Sequence, residues 1–257
     1  MLRFLKWVKI GFWGSTFTLI VTILAFVSVI AANSPASWEQ ITADNNISNE
    51  YTVEYRQAIS KSRQSAVLVK SSNLSFWSGS STMTGTYFVA QGRHYVITVY
   101  HGIHGPCWLL YVSHGSETQP CSRYVEVNEM HDYALIELAA PLSNRSPIRI
   151  PDDLPRGPEW NTAYSILNNI IYTGYPNTVG PLTLKGDVVG YGDDEYLYVF
   201  SHAYGGSSGS GVFTREGKYI GYIVAIDVGE TELGPDVLEN IVIVAPAFNV
   251  DWGHVLY

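Results

Sequence analysis

The strongest constraint on what this chain can fold into is a succession of short β-branched and aromatic runs, most of them bounded by turn residues. "SAVLVKS" (65–71), "TGTYFVA" (84–90), "YVITVY" (95–100), "WLLYV" (108–112) and "YALIEL" (133–138) make a first set. Val, Ile, Thr, Tyr and Phe suit a pleated, half-buried surface, so such runs between clusters like "AQGRH" read as strands. A Pro-rich stretch, "PIRIPDDLPRGPEW" (147–160), then interrupts the pattern and reads as a connection. A second set follows: "IIYTGYP", "LTLKGDVVGYG", "YLYVF", "GVF", "YIGYIVAID" and "IVIVAP". No fixed-period repeat is evident. Two sets of about six short strands predict an all-β protein of two six-stranded antiparallel barrels, at 63–150 and 151–257, with a cleft between them. One long sandwich is the alternative. At 257 residues the chain is long enough for either core.

The N-terminus follows different rules. Arg3, Lys6 and Lys9 make residues 1–9 basic, and the run from Ile10 to Ala32 then carries no charge. As a helix that run would reach about 34 Å, enough for a hydrocarbon core of about 30 Å. Nothing in it is polar enough to give a buried core helix a solvent face. The expectation is a transmembrane signal anchor over 10–32. Cleavable signals usually have a shorter apolar region, although Ala32-Asn33-Ser34 offers a small-x-small pattern and secretion after cleavage is the alternative. Basic residues before the span and Glu39, Asp44 and Glu50 after it put the N-terminus in the cytoplasm and the body of the chain outside. Residues 33–62 are polar and read as a linker ending in a short helix near Val53 to Ser62.

Composition excludes some partners. A formal charge of -8, with no basic stripe beyond the extreme N-terminus, argues against nucleic acid. Cys107 and Cys121 flank "WLLYVSHGSETQP", which can fold as a hairpin that brings them together. A disulfide would persist outside the cytoplasm, and two reduced buried thiols are the alternative. With no second cysteine pair and no HExxH, no metal or other cofactor is expected.

The chemistry centres on "AYGGSSGSGVF", Ala203 to Phe213. Gly/Ser clusters usually mark flexible turns. A serine hydroxyl becomes a nucleophile only when a base takes its proton and a third group holds that base in the right tautomer. The chain supplies both: "YVITVYHGI" ends a strand at His101, and "HDYALIEL" starts one at Asp132. Ser207 and Ser210 are neighbouring hydroxyls that compete with Ser208. His104 and His131 lie beside the chosen residues and suit turn capping or solvent.

Taken together, "TVYHGI", "DYALIEL" and "GSSGSG" resemble, in order, the three motifs of the trypsin-like serine proteases. "TGTYFVAQGRHYVIT" resembles the strand pair before their histidine, and "GKYIGYIVA" the strand after their serine. The resemblance spans roughly Ser65 to Phe248. It implies a double β-barrel and a serine endopeptidase acting on proteins or peptides. It also implies Ser208 as nucleophile, His101 as general base and Asp132 as its orienting carboxylate. The N–H groups of Gly206 and Ser208 would form the oxyanion hole. The other reading is a catalytically silent relative that binds a protein partner in the cleft. An α/β-hydrolase esterase fails on order, since that class runs Ser, acid, His and alternates strands with helices.

The departures are specific. Pancreatic-type members have Asp before the nucleophile and an "IVGG"-like start; here Ser207 stands there and no such start precedes the first strand. A domain that folds competent without that processing is expected. His202, six positions before Ser208, falls near the base of the family's primary pocket, with Ile223, Val224 and Ala225 on the wall strand. With no acidic residue there, a preference for small or apolar side chains is expected, or for acidic ones if His202 is charged, and not for Lys or Arg. No C-terminal peptide-binding domain is expected.

Overall fold

The computed structural model describes residue 43 and residues 46–73, 79–150, 152–192, 195–231 and 234–256, without the side chains between 225 and 239. The basic segment, the apolar run 10–32 and the linker up to Thr42 lie outside the described residues, and so does the expected membrane helix. No described helix is long and apolar enough to cross a membrane.

Six strands close the first barrel: β1 (Ala66–Ser71), β2 (Ser81–Ala90), β3 (Arg93–Thr98), β4 (Leu110–His114), β5 (Glu117–Asn128) and β6 (Tyr133–Leu138). They pair in the order β1-β4-β5-β6-β3-β2, and β1 pairs with β2 to complete the ring. A two-residue strand, β7 (Ile148–Arg149), adds to β2 in parallel. The second barrel comprises β8 (Asn169–Gly174), β9 (Leu182–Tyr191), β10 (Leu197–Phe200), β11 (Gly211–Thr214), β12 (Tyr219–Thr231) and β13 (Gly234–Pro246). It closes in the order β10-β13-β12-β11-β8-β9, with β9 paired to β10. Closure leaves neither six-stranded ring a free edge, and only the short β7 remains as one.

The apolar runs of the second set have a two-sided role. On β8, Ile170 and Tyr172 point into their own barrel, whereas Ile171 joins the cluster that continues into the first barrel. Val212 and Phe213 of β11 divide in the same way. Strands buried on both faces read as continuous apolar runs rather than as alternation. The core is therefore continuous from one barrel to the other through Ile171, Phe213, Tyr219 and Tyr222.

Helix α1 (Val53–Ser65) is the expected short helix, three residues longer at its end. Thr52 caps it by accepting from the Tyr55 N–H at 3.3 Å, and Glu54 and Arg63 match its dipole. Its buried face, Tyr55, Ala58, Ile59, Ser62 and Ser65, follows helical spacing. That face packs on β8 and β11 of one barrel and β2 of the other, with Ser62 Oγ 2.8 Å from Thr173 Oγ1.

Three local expectations needed correction. Trp108 and Leu109 belong to a 3-10 turn, Cys107–Leu109, so β4 starts only at Leu110. The strand β5 was not foreseen, because most of its residues are partly exposed and polar and Pro120 sits inside it. The Pro-rich connection is not plain loop: it holds β7 and a short helix, α2 (Glu159–Ala163). A last short helix, α3 (Gly253–Leu256), ends the described chain.

Cys107 and Cys121 form a disulfide, 14 residues apart in sequence, that ties the turn before β4 to β5. A link closing a loop of this length is worth about 3 kcal/mol. Paired Cys107→Ser and Cys121→Ser substitutions should lower the unfolding free energy by about 2–4 kcal/mol in a denaturant titration followed by circular dichroism.

Candidate active site

Strand β3 ends at Thr98, and the chain turns outward through Tyr100 to His101. There His101 Nδ1 lies 2.6 Å from Asp132 Oδ2, while the His101 N–H donates to Asp132 Oδ1 at 2.8 Å. Both carboxylate oxygens are thus committed to one residue. The imidazole is more than half exposed and the carboxylate is mostly covered, 53% against 16% of side-chain surface. Asp132 takes an unusual backbone, φ 51°, and its carbonyl accepts from the Tyr100 N–H at 3.2 Å. Aspartate tolerates that left-handed region better than most residues. The second barrel braces this turn: Tyr222 Oη donates to the His131 carbonyl at 2.6 Å, and Tyr196 Oη to that of Met130 at 3.3 Å. Burial pushes the Tyr222 phenol well above its ordinary range, so it remains a donor.

The loop before β11 separates its serines. Ser207 is buried, and its Oγ accepts from the Tyr204 N–H at 3.3 Å. Ser210 is also buried, and its hydroxyl donates to the Ser207 carbonyl at 2.6 Å. Ser208 alone of the three is partly exposed, and among the described residues no group bonds its hydroxyl. No hydrogen bond joins it to the His101 ring, a bond that often tightens only with substrate in place.

The loop's carbonyls are held while two of its N–H groups are not. Gly205 O accepts from the Asn177 N–H at 2.7 Å, and Ser207 O from the Ser210 N–H at 3.0 Å. In a trans peptide the following N–H points the opposite way. The N–H groups of Gly206 and Ser208 accordingly face away from those partners, and among the described residues neither finds an acceptor. Gly206, at φ 95°, has no room for a side chain, since a Cβ would lie 2.7 Å from the Tyr175 carbonyl oxygen.

The loop is pressed against the first barrel. The Thr84 N–H donates to Ser208 O at 2.9 Å, and Thr98 Oγ1 donates to Thr84 O at 2.7 Å. At Gly209, φ 87°, a Cβ would clash with the Thr84 carbonyl oxygen and lie 2.7 Å from Thr98 Oγ1. Thr98 is three residues before His101. The loop therefore sits beside the strand end that carries the imidazole.

The wall residues are placed unequally. Ile223 and Val224 are buried, and Ile223 O accepts from the Gly209 N–H at 2.7 Å. Ala225 pairs through its backbone with Ile243, and its side chain is outside the described set. His202 is exposed, and its carbonyl accepts from Tyr172 Oη, whose pKa burial pushes up to about 12. His104 is exposed as expected, with its N–H donating to Ser71 Oγ. Elsewhere, Glu126, Asp251 and His254 bring three ligand-type atoms within 4.8 Å, but the latter two are exposed and form a simple pair at 3.6 Å.

The sequence pattern of the trypsin-like peptidase domain matches residues 83–221, more than half of the chain. The chain belongs to that family. Solved structures agree on the fold. A serine endoprotease from Yersinia pestis superposes with a TM-score of 0.57 at 17% identity, over 77% of this chain and 64% of that one. The HtrA-type protease AlgW, solved with a tripeptide, gives 0.54 at 16% identity, over 76% of this chain and 60% of its own. The chain thus spans less than two thirds of the length of either neighbour. No curated protein matches it in sequence.

Reading residues alone pointed to the trypsin-like family, but it missed the groups that brace the serine loop and the turn at His101 and Asp132. Thr84, Asn177 and Tyr222 carry no sequence signal, because each acts through a contact that closes between distant segments. Gly209→Ala should leave the first barrel's hairpins intact yet displace the serine loop. Its thermal midpoint should fall, and the Gly206 and Ser208 amide NMR shifts should move while those of β4 to β6 stay in place.

Proposed function

We propose that this protein is a serine endopeptidase using Ser208, His101 and Asp132, and that residues 10–32 anchor it in a membrane. The observation that carries this reading is the serine loop itself, where one unbonded hydroxyl, Ser208, is bracketed by the acceptor-free N–H groups of Gly206 and Ser208. Acceptor-free donors beside a nucleophile suit the developing charge of a tetrahedral intermediate.

In this reading Ser208 Oγ attacks the scissile carbonyl and passes its proton to Nε2 of His101. Asp132 holds the opposite ring nitrogen, which fixes the tautomer and favours the imidazolium that forms. His101 then protonates the leaving amine, and water repeats the sequence on the acyl-enzyme. The exposed ring of His101 meets solvent from which that water comes. Asp132 is the better shielded partner, as its orienting role requires.

The primary pocket is read as taking small or apolar side chains, or acidic ones through His202. Buried Ile223 and Val224, with buried Ala203 beside exposed His202, support the apolar version. The membrane placement rests on the uncharged run and the basic residues before it.

Fluorophosphonate labelling tests the chemistry. The wild-type protein should react at Ser208 alone, and Ser208→Ala should abolish labelling and lower kcat by at least about 10⁴-fold. A folded wild-type protein that stays unlabelled would instead favour partner binding in the cleft. Cleavage of a peptide library should show small or apolar residues before the scissile bond; a dominant Arg or Lys would defeat the pocket assignment. Carbonate washing should leave the full chain in the membrane pellet and release a form lacking residues 1–32.

A further inference from the structure

Thr84 belongs to the first barrel, yet its hydroxyl is bonded entirely within the second. Its Oγ1 accepts from the Tyr175 N–H at 2.9 Å and donates to the Gly206 carbonyl at 2.7 Å. The direction of both bonds is fixed: an amide can only donate, so the single hydroxyl proton must go to Gly206 O. Thr84 is fully buried, and water cannot substitute for either partner. Its own N–H holds Ser208 O, so one residue grips the loop on both sides of Ser207.

The loop needs such a grip. Gly205 and Gly206 are adjacent, and Gly206 sits at φ 95°. A Gly-Gly peptide rotates with little steric penalty. If it turned over, the Gly206 N–H would leave the side of the loop where substrate charge develops. The bond from Asn177 N–H to Gly205 O fixes the peptide before Gly206, and the Thr84 hydroxyl fixes the one after it. Tyr175 N–H, two residues before Asn177, is held by that same hydroxyl. One support of the Gly206 amide is thus the Thr84 hydroxyl itself, and the other comes from a segment that the same hydroxyl holds two residues earlier.

We propose that Thr84 is a positioning residue that sets the anion-binding direction of the Gly206 N–H, so that the second barrel's loop becomes competent only when the first barrel's hydroxyl is in place. This rests on the serine endopeptidase reading. It differs from a packing role in a testable way, because the methyl group of Thr84 is not required and the hydroxyl is.

The full chain carries Thr84→Val, Thr84→Ser and Thr84→Cys in turn, each checked for folding by thermal unfolding. Thr84→Val should lower kcat about 10- to 100-fold with KM within about twofold, less than the 10²–10³ typical of losing a donor outright. Thr84→Ser should stay within about threefold of wild type, and Thr84→Cys, whose thiol is a weak donor, should fall between. Fluorophosphonate labelling should slow in parallel, while the pH midpoint of kcat/KM stays put. The proposal falls if a folded Thr84→Val keeps its kcat, or if Thr84→Ser is as impaired as Thr84→Val. Should Thr84→Val not fold, the Ser and Cys variants decide alone: equal activity overturns the proposal. Amide NMR shifts separate this proposal from the reading beneath it. Gly206 and Ser208 amides that move in Thr84→Val or Thr84→Cys support the grip even if the wild type proves inert; unmoved amides overturn it.

Discussion

The close approach between the β2 backbone and the turn after Ser208 is the contact on which the rest of the structure depends. Gly209 packs so tightly against Thr84 that no Cβ fits, and the Thr84 N–H reaches Ser208 O across the same gap. Everything in the cleft is measured from there. His101 leaves the first barrel a few residues beyond Thr98, whose hydroxyl holds the same Thr84 carbonyl. Asp132 is tied to His101 by two hydrogen bonds and to the second barrel through the Tyr222 contact at His131. A shift in the barrel contact would move all three at once.

The second barrel meets this contact with strands buried on both sides. β8 and β11 send alternate residues into their own barrel and into the shared core, and α1 lies across both barrels. Dispersion and water exclusion on this scale are what hold two separate sheets in one arrangement. Directional bonds then fix the detail. The buried hydroxyls of Thr84, Thr98, Ser207 and Ser210 each have a partner, as buried polar groups must. The hydroxyl left over, on Ser208, is the one with surface exposed.

Local chemistry made much of the architecture readable. β-branched and aromatic runs announced eleven of the thirteen described strands, and turn residues marked most of their ends. The signal failed on β5, where half-exposed polar residues and Pro120 imitate a loop, and at Trp108, an exposed aromatic that only looks like a strand start. In both places pairing with neighbours overrides what the residues prefer alone. The motif around Ser208 was legible for a related reason: glycines at 206 and 209 are needed for positive φ and close approach, and such needs leave a mark in sequence.

What the sequence by itself determined is the alternation of strand and turn, the charge pattern of the N-terminus and the order of the three chemical motifs. These depend on short-range preferences and on residue type. Only the tertiary structure decided which serine hydroxyl is free, which peptide N–H groups lack acceptors, and that Thr84 from one barrel holds a carbonyl of the other. Thr84 and Gly206 are 122 residues apart, and even the short bonds of Ser207 and Ser210 need a loop shape that the other barrel helps to hold, so no local rule of chain geometry carries that information.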